Sequence, residues 1–183
     1  AGYAVVVLDN FSNSHIEALR RVKFITGKDF NIVNGDVRNQ SLLEEMLRIN
    51  SCEAVIHLAG LKSVAESVSK PLEYYDNNVL GTLSLLRAME NTGIKKLIFS
   101  SSAAVYGKPQ FLPITEDHPL SAENPYGQTK LAVENLLRDY FNAAKDWSIY
   151  LLRYFNPVGA HESGLIGEDP RGVPNNLMPF LAQ

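Results

Sequence analysis

Cysteine is nearly absent: Cys52 is the one such residue in 183. An intramolecular disulfide is therefore excluded, and a reducing, cytoplasmic compartment is the expectation. Long apolar runs are missing too, and the opening Ala1-Gly-Tyr-Ala-Val-Val-Val-Leu8 lacks the charged lead of a secretion signal. Positive charge is in slight deficit, 17 Lys and Arg against 20 Asp and Glu for a net charge of −3, so the basic footprint of a nucleic-acid or anionic-lipid binder is not there. The four histidines, His15, His57, His118 and His161, have no metal-ligand spacing, and His57, inside an apolar run, reads as a packed core residue; no metal site is expected. Nothing repeats at a fixed period, no segment is low in complexity, and no Gly- or Ser-rich linker divides the chain. An initiator Met and a lead-in are also lacking. The first residues read as a strand already under way, which makes an excerpt of a longer chain the expectation.

What is present suits one sizeable core, with 45% hydrophobic residues. Short apolar or β-branched runs predict strands at Tyr3 to Leu8, Asn31 to Val33, Ala54 to Leu58, Lys96 to Ser100 and Ser148 to Arg153. Helical patterns lie between them. Ser41-Leu-Leu-Glu44 reads as a capping box opening a helix to about Asn50, with Leu42, Leu43, Met46 and Leu47 on one face. Glu73 to Asn91 predicts a long helix stopped by Thr92-Gly93, and Tyr126 to Ala144 a second. Apolar strands alternating with amphipathic helices predict a parallel sheet covered on both faces, the doubly wound, Rossmann-like α/β architecture. Ligands of such sheets bind beyond the carboxyl ends of the strands.

The polar residues worth attention fall at those ends. Asp9 follows the first predicted strand, where a dinucleotide-binding sheet places the acid that holds ribose hydroxyls; capping of a turn explains it equally well. Asp36 faces the same choice, and turn chemistry is the simpler account of it. Leu58-Ala59-Gly60 brings small residues to a strand end, where a ligand can approach the backbone, and Lys62 follows, a cofactor contact or an ordinary surface lysine. Ser100-Ser-Ser102 closes the fourth strand. Asn124-Pro-Tyr-Gly-Gln-Thr-Lys130 then sets Tyr126 and Lys130 on one helical face. Eight tyrosines and nine lysines give such a pair by chance about 0.4 times, so the spacing alone carries little. Beside Ser100 to Ser102 it carries more. A lysine cation about 4 Å from a phenolate stabilises it by roughly 4 kcal/mol at an effective dielectric near 20, which is what a tyrosine general base needs.

Ser100-Ser-Ser-Ala-Ala-Val-Tyr-Gly107, Asn124-Pro-Tyr-Gly-Gln-Thr-Lys130, Leu152-Arg-Tyr-Phe-Asn-Pro-Val-Gly-Ala160 and Gly167-Glu-Asp-Pro-Arg-Gly-Val-Pro-Asn-Asn-Leu-Met-Pro179 together resemble the extended short-chain dehydrogenase/reductase family. Within it the chain is most similar to the branch that inverts C4 of UDP-hexoses. The resemblance runs over essentially all 183 residues. It implies Tyr126 as the base for the sugar 4-hydroxyl, Ser102 hydrogen-bonded to the same oxygen, and Lys130 on the nicotinamide ribose. It implies NAD as cofactor, interconversion of UDP-galactose and UDP-glucose through a 4-keto sugar, and a homodimer built on the helices of Glu73 to Asn91 and Tyr126 to Ala144. Asp9, Asn10, Asp36, Val37, Lys62, Asn77 and Ser100 match cofactor positions, as do the backbone of Leu58, Ala59 and Gly60 and the rings of Tyr154 and Phe155. Lys62, Ser102, Tyr126, Asn156, Asn176 and Leu177 match positions facing the nucleotide sugar. The plain alternatives are a helix cap at Asn176 and core aromatics at Tyr154 and Phe155.

Against that pattern, the Gly-x-x-Gly-x-x-Gly phosphate loop is absent, with the first, central strand that precedes it. The expected consequence is a break of about one strand spacing, near 4.8 Å, in the sheet order 3-2-1-4-5-6. Residues 1–155 are expected to form a partial nucleotide-binding domain and 156–183 the start of a substrate region. Poor NAD binding by the 183-residue chain alone is a further expectation. Sister 4,6-dehydratases resemble a pattern with Asp-Glu where Ser102-Ala103-Ala104 stands, which argues against them. UDP-glucuronate 4-epimerases and an inactive sugar-nucleotide-binding remnant are the remaining rivals.

Overall fold

Strand β1 (Val6–Asp9) pairs in parallel with β2 (Asn31–Asn34), Val6 opposite Asn31 and Asp9 opposite Asn34. The computed structural model describes residues 2–168 and 177–182, and the chain folds as two compact units. Ala1–Asp36 and Asn156–Gln183 make the first unit, and Val37–Phe155 the second. Between β1 and β2 runs helix α1 (Ile16–Thr26), absent from the sequence reading. Its apolar residues Ile16, Leu19, Val22 and Ile25 do keep a helical spacing, but none is fully buried, and His15 supplies no side-chain cap. Gly27, left-handed at φ 61°, ends it. Arg21 Nη1 donates to the Leu165 carbonyl at 3.0 Å and so ties the returning chain to α1.

The second unit opens on α2 (Gln40–Ile49). The expected cap is corrected here: Asn39, not Ser41, starts the helix, its Oδ1 accepting from Leu42 N at 3.1 Å. Glu44 bonds sideways instead, to Gln40 Nε2 at 2.9 Å and Asn91 Nδ2 at 2.7 Å. Leu43 and Leu47 are the buried face. Then follow β3 (Val55–His57), α3 (Val64–Ser69), α4 (Pro71–Tyr74), a π-helical segment Tyr75–Leu80, α5 (Gly81–Thr92), β4 (Lys96–Ser102), a 3-10 turn Ala103–Val105, α6 (Pro125–Ala143) and β5 (Ser148–Tyr154). In the returning part of the first unit comes α7 (Leu177–Ala182).

The single helix expected over Glu73 to Asn91 is thus interrupted, and the reason is Asn78. Its side-chain Oδ1 accepts from Leu61 N at 2.8 Å, and its Nδ2 donates to Leu61 O and Thr129 Oγ1, each at 3.0 Å. A buried asparagine must spend its amide this way, and a widened turn is what aims it. Strands β3, β4 and β5 form one parallel sheet in that order, with β4 central. Leu97 and Phe99 of β4 are buried with Leu85, Leu86 and Met89 of α5 and Val133 and Leu137 of α6, which makes β4 the spine of the unit. Among the described residues no ladder joins β1 to β3; the strands form two parallel sheets, β1-β2 in the first unit and β3-β4-β5 in the second.

Candidate active site

Helix α6 begins abruptly because Asn124, extended at φ −132°, accepts from Gly127 N at 2.8 Å through Oδ1, and Pro125 fills the first helical position. That start places Tyr126 in the first turn. Strand β4 ends as abruptly: Ser102 Oγ accepts from Ala104 N at 3.1 Å and turns the chain into the 3-10 segment. The two ends meet at Gly127, where an added Cβ would stand 2.8 Å from the Ala104 carbonyl oxygen. Gly127→Ala is expected to push the start of α6 off that turn, at about 1–3 kcal/mol, read as a lowered denaturation midpoint. An unchanged midpoint would show slack at this contact.

One turn along the helix, Lys130 is 6% exposed, and its Nζ donates to the Ser100 carbonyl at 2.8 Å. The ammonium lies 4.9 Å from the centre of the Phe99 ring and 5.9 Å from that of Tyr126. Burial pushes its pKa down to about 8. An added Cβ at Gly60 would stand 3.6 Å from this Nζ and 3.2 Å from Asn78 Oδ1, so a side chain there would press on Asn78 and narrow the floor of the site. The structure therefore brings Gly60, Ser100, Tyr126 and Lys130 together, with Ser102 at the end of the same strand. His57, beneath, is core as expected: it is 4% exposed, its Nε2 lies 2.9 Å from Thr82 Oγ1, and Thr82 donates to Asn78 O at 2.7 Å. With the threonine proton spent, Nε2 must carry the imidazole proton. Burial first, then the Lys130 charge, hold His57 down at about 3, hence neutral.

Other expected site residues are placed singly. Lys62 is exposed in the loop after Leu61, Leu58 is exposed at the end of β3 and Ala59 follows it, while Asn77 is half-buried in the π-helical segment. Val37 is buried, 2.6 Å from where a Cβ on Gly81 would stand. Tyr154 pairs across the sheet with Ser102, and Phe155 stacks on Tyr106 at 6.3 Å between centroids. In the first unit, Asp9 Oδ1 accepts from Phe11 N at 2.7 Å and Ser14 Oγ at 2.9 Å, and Asn10 Nδ2 donates to Asp36 Oδ2 at 3.1 Å. Turn chemistry thus holds the acid at the strand end. A cavity of about 440 Å³ in this unit is lined by Phe11, Ser14, His15, Ile16, Ile32 and Asn34. Asn156 and Leu177 are exposed, and Asn176 lies outside the described residues.

Sequence reasoning passed over Asn78, Glu134 and Arg153. An asparagine pair inside a helical pattern is one signal. An arginine inside the apolar strand Ser148-Ile-Tyr-Leu-Leu-Arg-Tyr154 is another, since it demands a buried partner.

Parallel strands with a serine-bearing end, and a capped helix presenting Tyr-x-x-x-Lys beside it, define a nucleotide-binding α/β enzyme class. The chain belongs to the NAD dependent epimerase/dehydratase family, whose sequence model matches residues 1–181. It is 60% identical over 183 residues to the UDP-glucose 4-epimerase of Bacillus subtilis, covering all of this chain and 54% of that protein. The crystal structure of UDP-glucose 4-epimerase from Bifidobacterium longum in complex with NAD+ and UDP matches with a TM-score of 0.96 at 56% identity, over 99% of this chain and 54% of that one. The structure of UDP-glucose-4-epimerase from Stenotrophomonas maltophila with bound NAD and formylated UDP-arabinopyranose matches with a TM-score of 0.97 at 46% identity, over 100% of this chain and 54% of that one. The chain spans about half the length of the relatives it matches.

Proposed function

We propose that these residues carry the catalytic part of an NAD-dependent epimerase that inverts C4 of a UDP-hexose, interconverting UDP-galactose and UDP-glucose. The observation that carries the reading is the buried Lys130 ammonium on the Ser100 carbonyl, on the helical face it shares with Tyr126, beside the strand that ends at Ser102. The donor set fits a dinucleotide. Lys130 uses one of its three protons on Ser100 among the described residues, which leaves donors for a ribose diol above the glycine floor. NAD, when bound, supplies a reversible two-electron oxidation of the sugar carbon. Tyr126 takes the 4-hydroxyl proton as the carbon is oxidised and returns it when the 4-keto sugar, turned over, is reduced on its other face. Ser102 hydrogen-bonds the same oxygen, and the Lys130 ammonium lies 5.9 Å from the centre of the Tyr126 ring.

Asp9, Asn10 and Asp36 would hold the adenosine end, with Val37, Asn77 and the backbone of Leu58 to Gly60 completing the cofactor positions; Tyr154 and Phe155 would line the nicotinamide. Lys62, Asn156, Asn176 and Leu177 would face the nucleotide sugar. On this reading residues 1–155 serve the cofactor and 156–183 begin the substrate region. A cytoplasmic homodimer completes the proposal, supported by the lone Cys52 and by the two long helical segments of the second unit. Light scattering that gives a single-chain mass would remove the dimer.

The test follows the anomeric proton signals of UDP-galactose and UDP-glucose on addition of the NAD-loaded, full-length polypeptide of which these residues are part. The same mixture reached from either sugar is expected. Faster turnover of UDP-glucuronate would move the reading to the sister enzyme, and tight binding of the UDP-sugar without turnover would make the chain a binding remnant.

A further inference from the structure

Charged groups beneath a sheet persist only when paired, and Glu134 and Arg153 form such a pair. Glu134 has no exposed surface and stands on α6 four residues beyond Lys130 and eight beyond Tyr126. Its Oε1 accepts from Ser101 Oγ at 2.6 Å and Arg153 Nε at 2.9 Å, and its Oε2 from Nη2 of Arg153 and of Arg138, each at 2.8 Å. Four donors thus converge on one carboxylate, two of them the fork of a single guanidinium. Arg153 turns its remaining Nη1 to Tyr106 Oη at 2.9 Å and the Glu116 carbonyl at 3.1 Å. Register gives the hub its meaning. Ser101 and Arg153 are partners across β4 and β5, and the next pair is Ser102 and Tyr154. A carboxylate on the helix of the base therefore crosslinks the two strands one step before the residues assigned to substrate and cofactor.

We propose that Glu134 is a positioning residue for the C4 reaction, fixing the strand ends of Ser102 and Tyr154 against Tyr126 through its bonds to Ser101 and Arg153. The inference rests on the epimerase reading above. Glu134 touches no reacting atom; its effect passes through neighbours, as displacement of a bound substrate by about 1 Å costs about a hundredfold in rate. Burial pushes its carboxyl up, but the bonds from Arg153 and Ser101 and the charges of Arg153 and Arg138 outweigh burial and hold it below its ordinary value. It stays ionised, so all four donors keep an acceptor.

The experiment is Glu134→Gln in the full NAD-loaded polypeptide, alone and combined with Tyr126→Phe. Alone it is expected to lower kcat about 10- to 100-fold while KM for the UDP-sugar stays within about threefold. In the Tyr126→Phe background the added loss is expected to fall below about twofold, because a base that is absent cannot be misplaced. Equal factors in both backgrounds, or a kcat within about twofold of the parent, would overturn the proposal by leaving Glu134 a purely structural role. If Glu134→Gln does not fold, Arg153→Lys, which keeps the charge and loses the fork, carries the same comparison. If the parent turns over no UDP-hexose, the epimerase reading fails by itself. Positioning is then read from the ¹³Cζ resonances of Tyr126 and Tyr154, which shift in the variant if Glu134 sets those strand ends and stay in place if it does not.

Discussion

Tyr126→Phe in the NAD-loaded polypeptide is expected to lower kcat about a hundred- to ten-thousandfold, the range that a positioned general acid-base group contributes, with UDP-sugar affinity within a few fold. The expectation comes from what the substitution leaves alone. Asn124 still caps the helix through Gly127 N, Gly127 still packs on Ala104, and the Lys130 ammonium still lies against a ring. Only the phenolic oxygen goes. Kinetic constants beside a denaturation midpoint check the result: an unchanged midpoint with collapsed kcat fits a base, whereas a kcat within about tenfold of the parent would assign proton transfer to another group.

Lys130→Met is expected to abolish turnover and yet to stabilise the fold near neutral pH. Burial lowers the lysine from 10.5 to about 8, and at about 1.4 kcal/mol per unit that is roughly 3 kcal/mol held against the folded state whenever the amine is protonated in both states. The lost bond from the charged ammonium to the Ser100 carbonyl returns about 1.5–3 kcal/mol of this. A net gain of up to about 2 kcal/mol follows at pH 7, from a side chain of similar length that fills the same space. The sign with pH is fixed as well. Between pH 8 and 10.5 the unfolded parent still binds the proton that the folded parent has released, so the parent gains stability as pH rises through that window. The advantage of the variant should shrink over the same window. Denaturant melts at pH 7 and pH 10.5 measure it, and a variant less stable than the parent at pH 7 would mean that Lys130 is not held at a cost.

Such a cost is what a functional site carries. A lysine kept for packing alone would give way to an apolar side chain, and its retention under Phe99 and Tyr126 has its account in the chemistry above. His57 belongs to the same economy of charge. Kept neutral beneath Lys130 and bonded to Thr82, it adds no second cation beside the first.

Much of this was legible in the sequence. Strands β4 and β5 carry apolar runs at Leu97 to Phe99 and Ile149 to Leu152, and the end of β4 could be found where polarity returns at Ser100; the expected cover on both faces is not what the structure shows, since Ile56 and Tyr150 are each 63% exposed. Asn124-Pro125 announced α6 to within a residue. Other features were hidden for physical reasons. Helix α1 buries no residue completely, so its periodicity was weak beside the turn residues around it. Ser41 and Glu44 have the spacing of a capping box, but Asn39 reaches the first free amide sooner, and the helix starts there. The interruption at Tyr75–Leu80 depends on Asn78 reaching Leu61, a contact 17 residues away in sequence that no local pattern contains. Glu134 is hidden in the same way: on a helix it looks like a solvent-facing acid, and only the approach of β5 with Arg153 makes it a buried hub.

The central claim, that C4 of a UDP-hexose is oxidised and reduced again within the site of Ser102, Tyr126 and Lys130, is tested most directly by isotope retention. UDP-galactose deuterated at C4 is converted in ordinary water by the NAD-loaded polypeptide, and the UDP-glucose formed is read by mass spectrometry. The account predicts that the deuterium remains on C4 through many turnovers, since the hydrogen leaves and returns without meeting solvent. Deuterium replaced by solvent hydrogen would mean that C4 is deprotonated and reprotonated instead, and would contradict it.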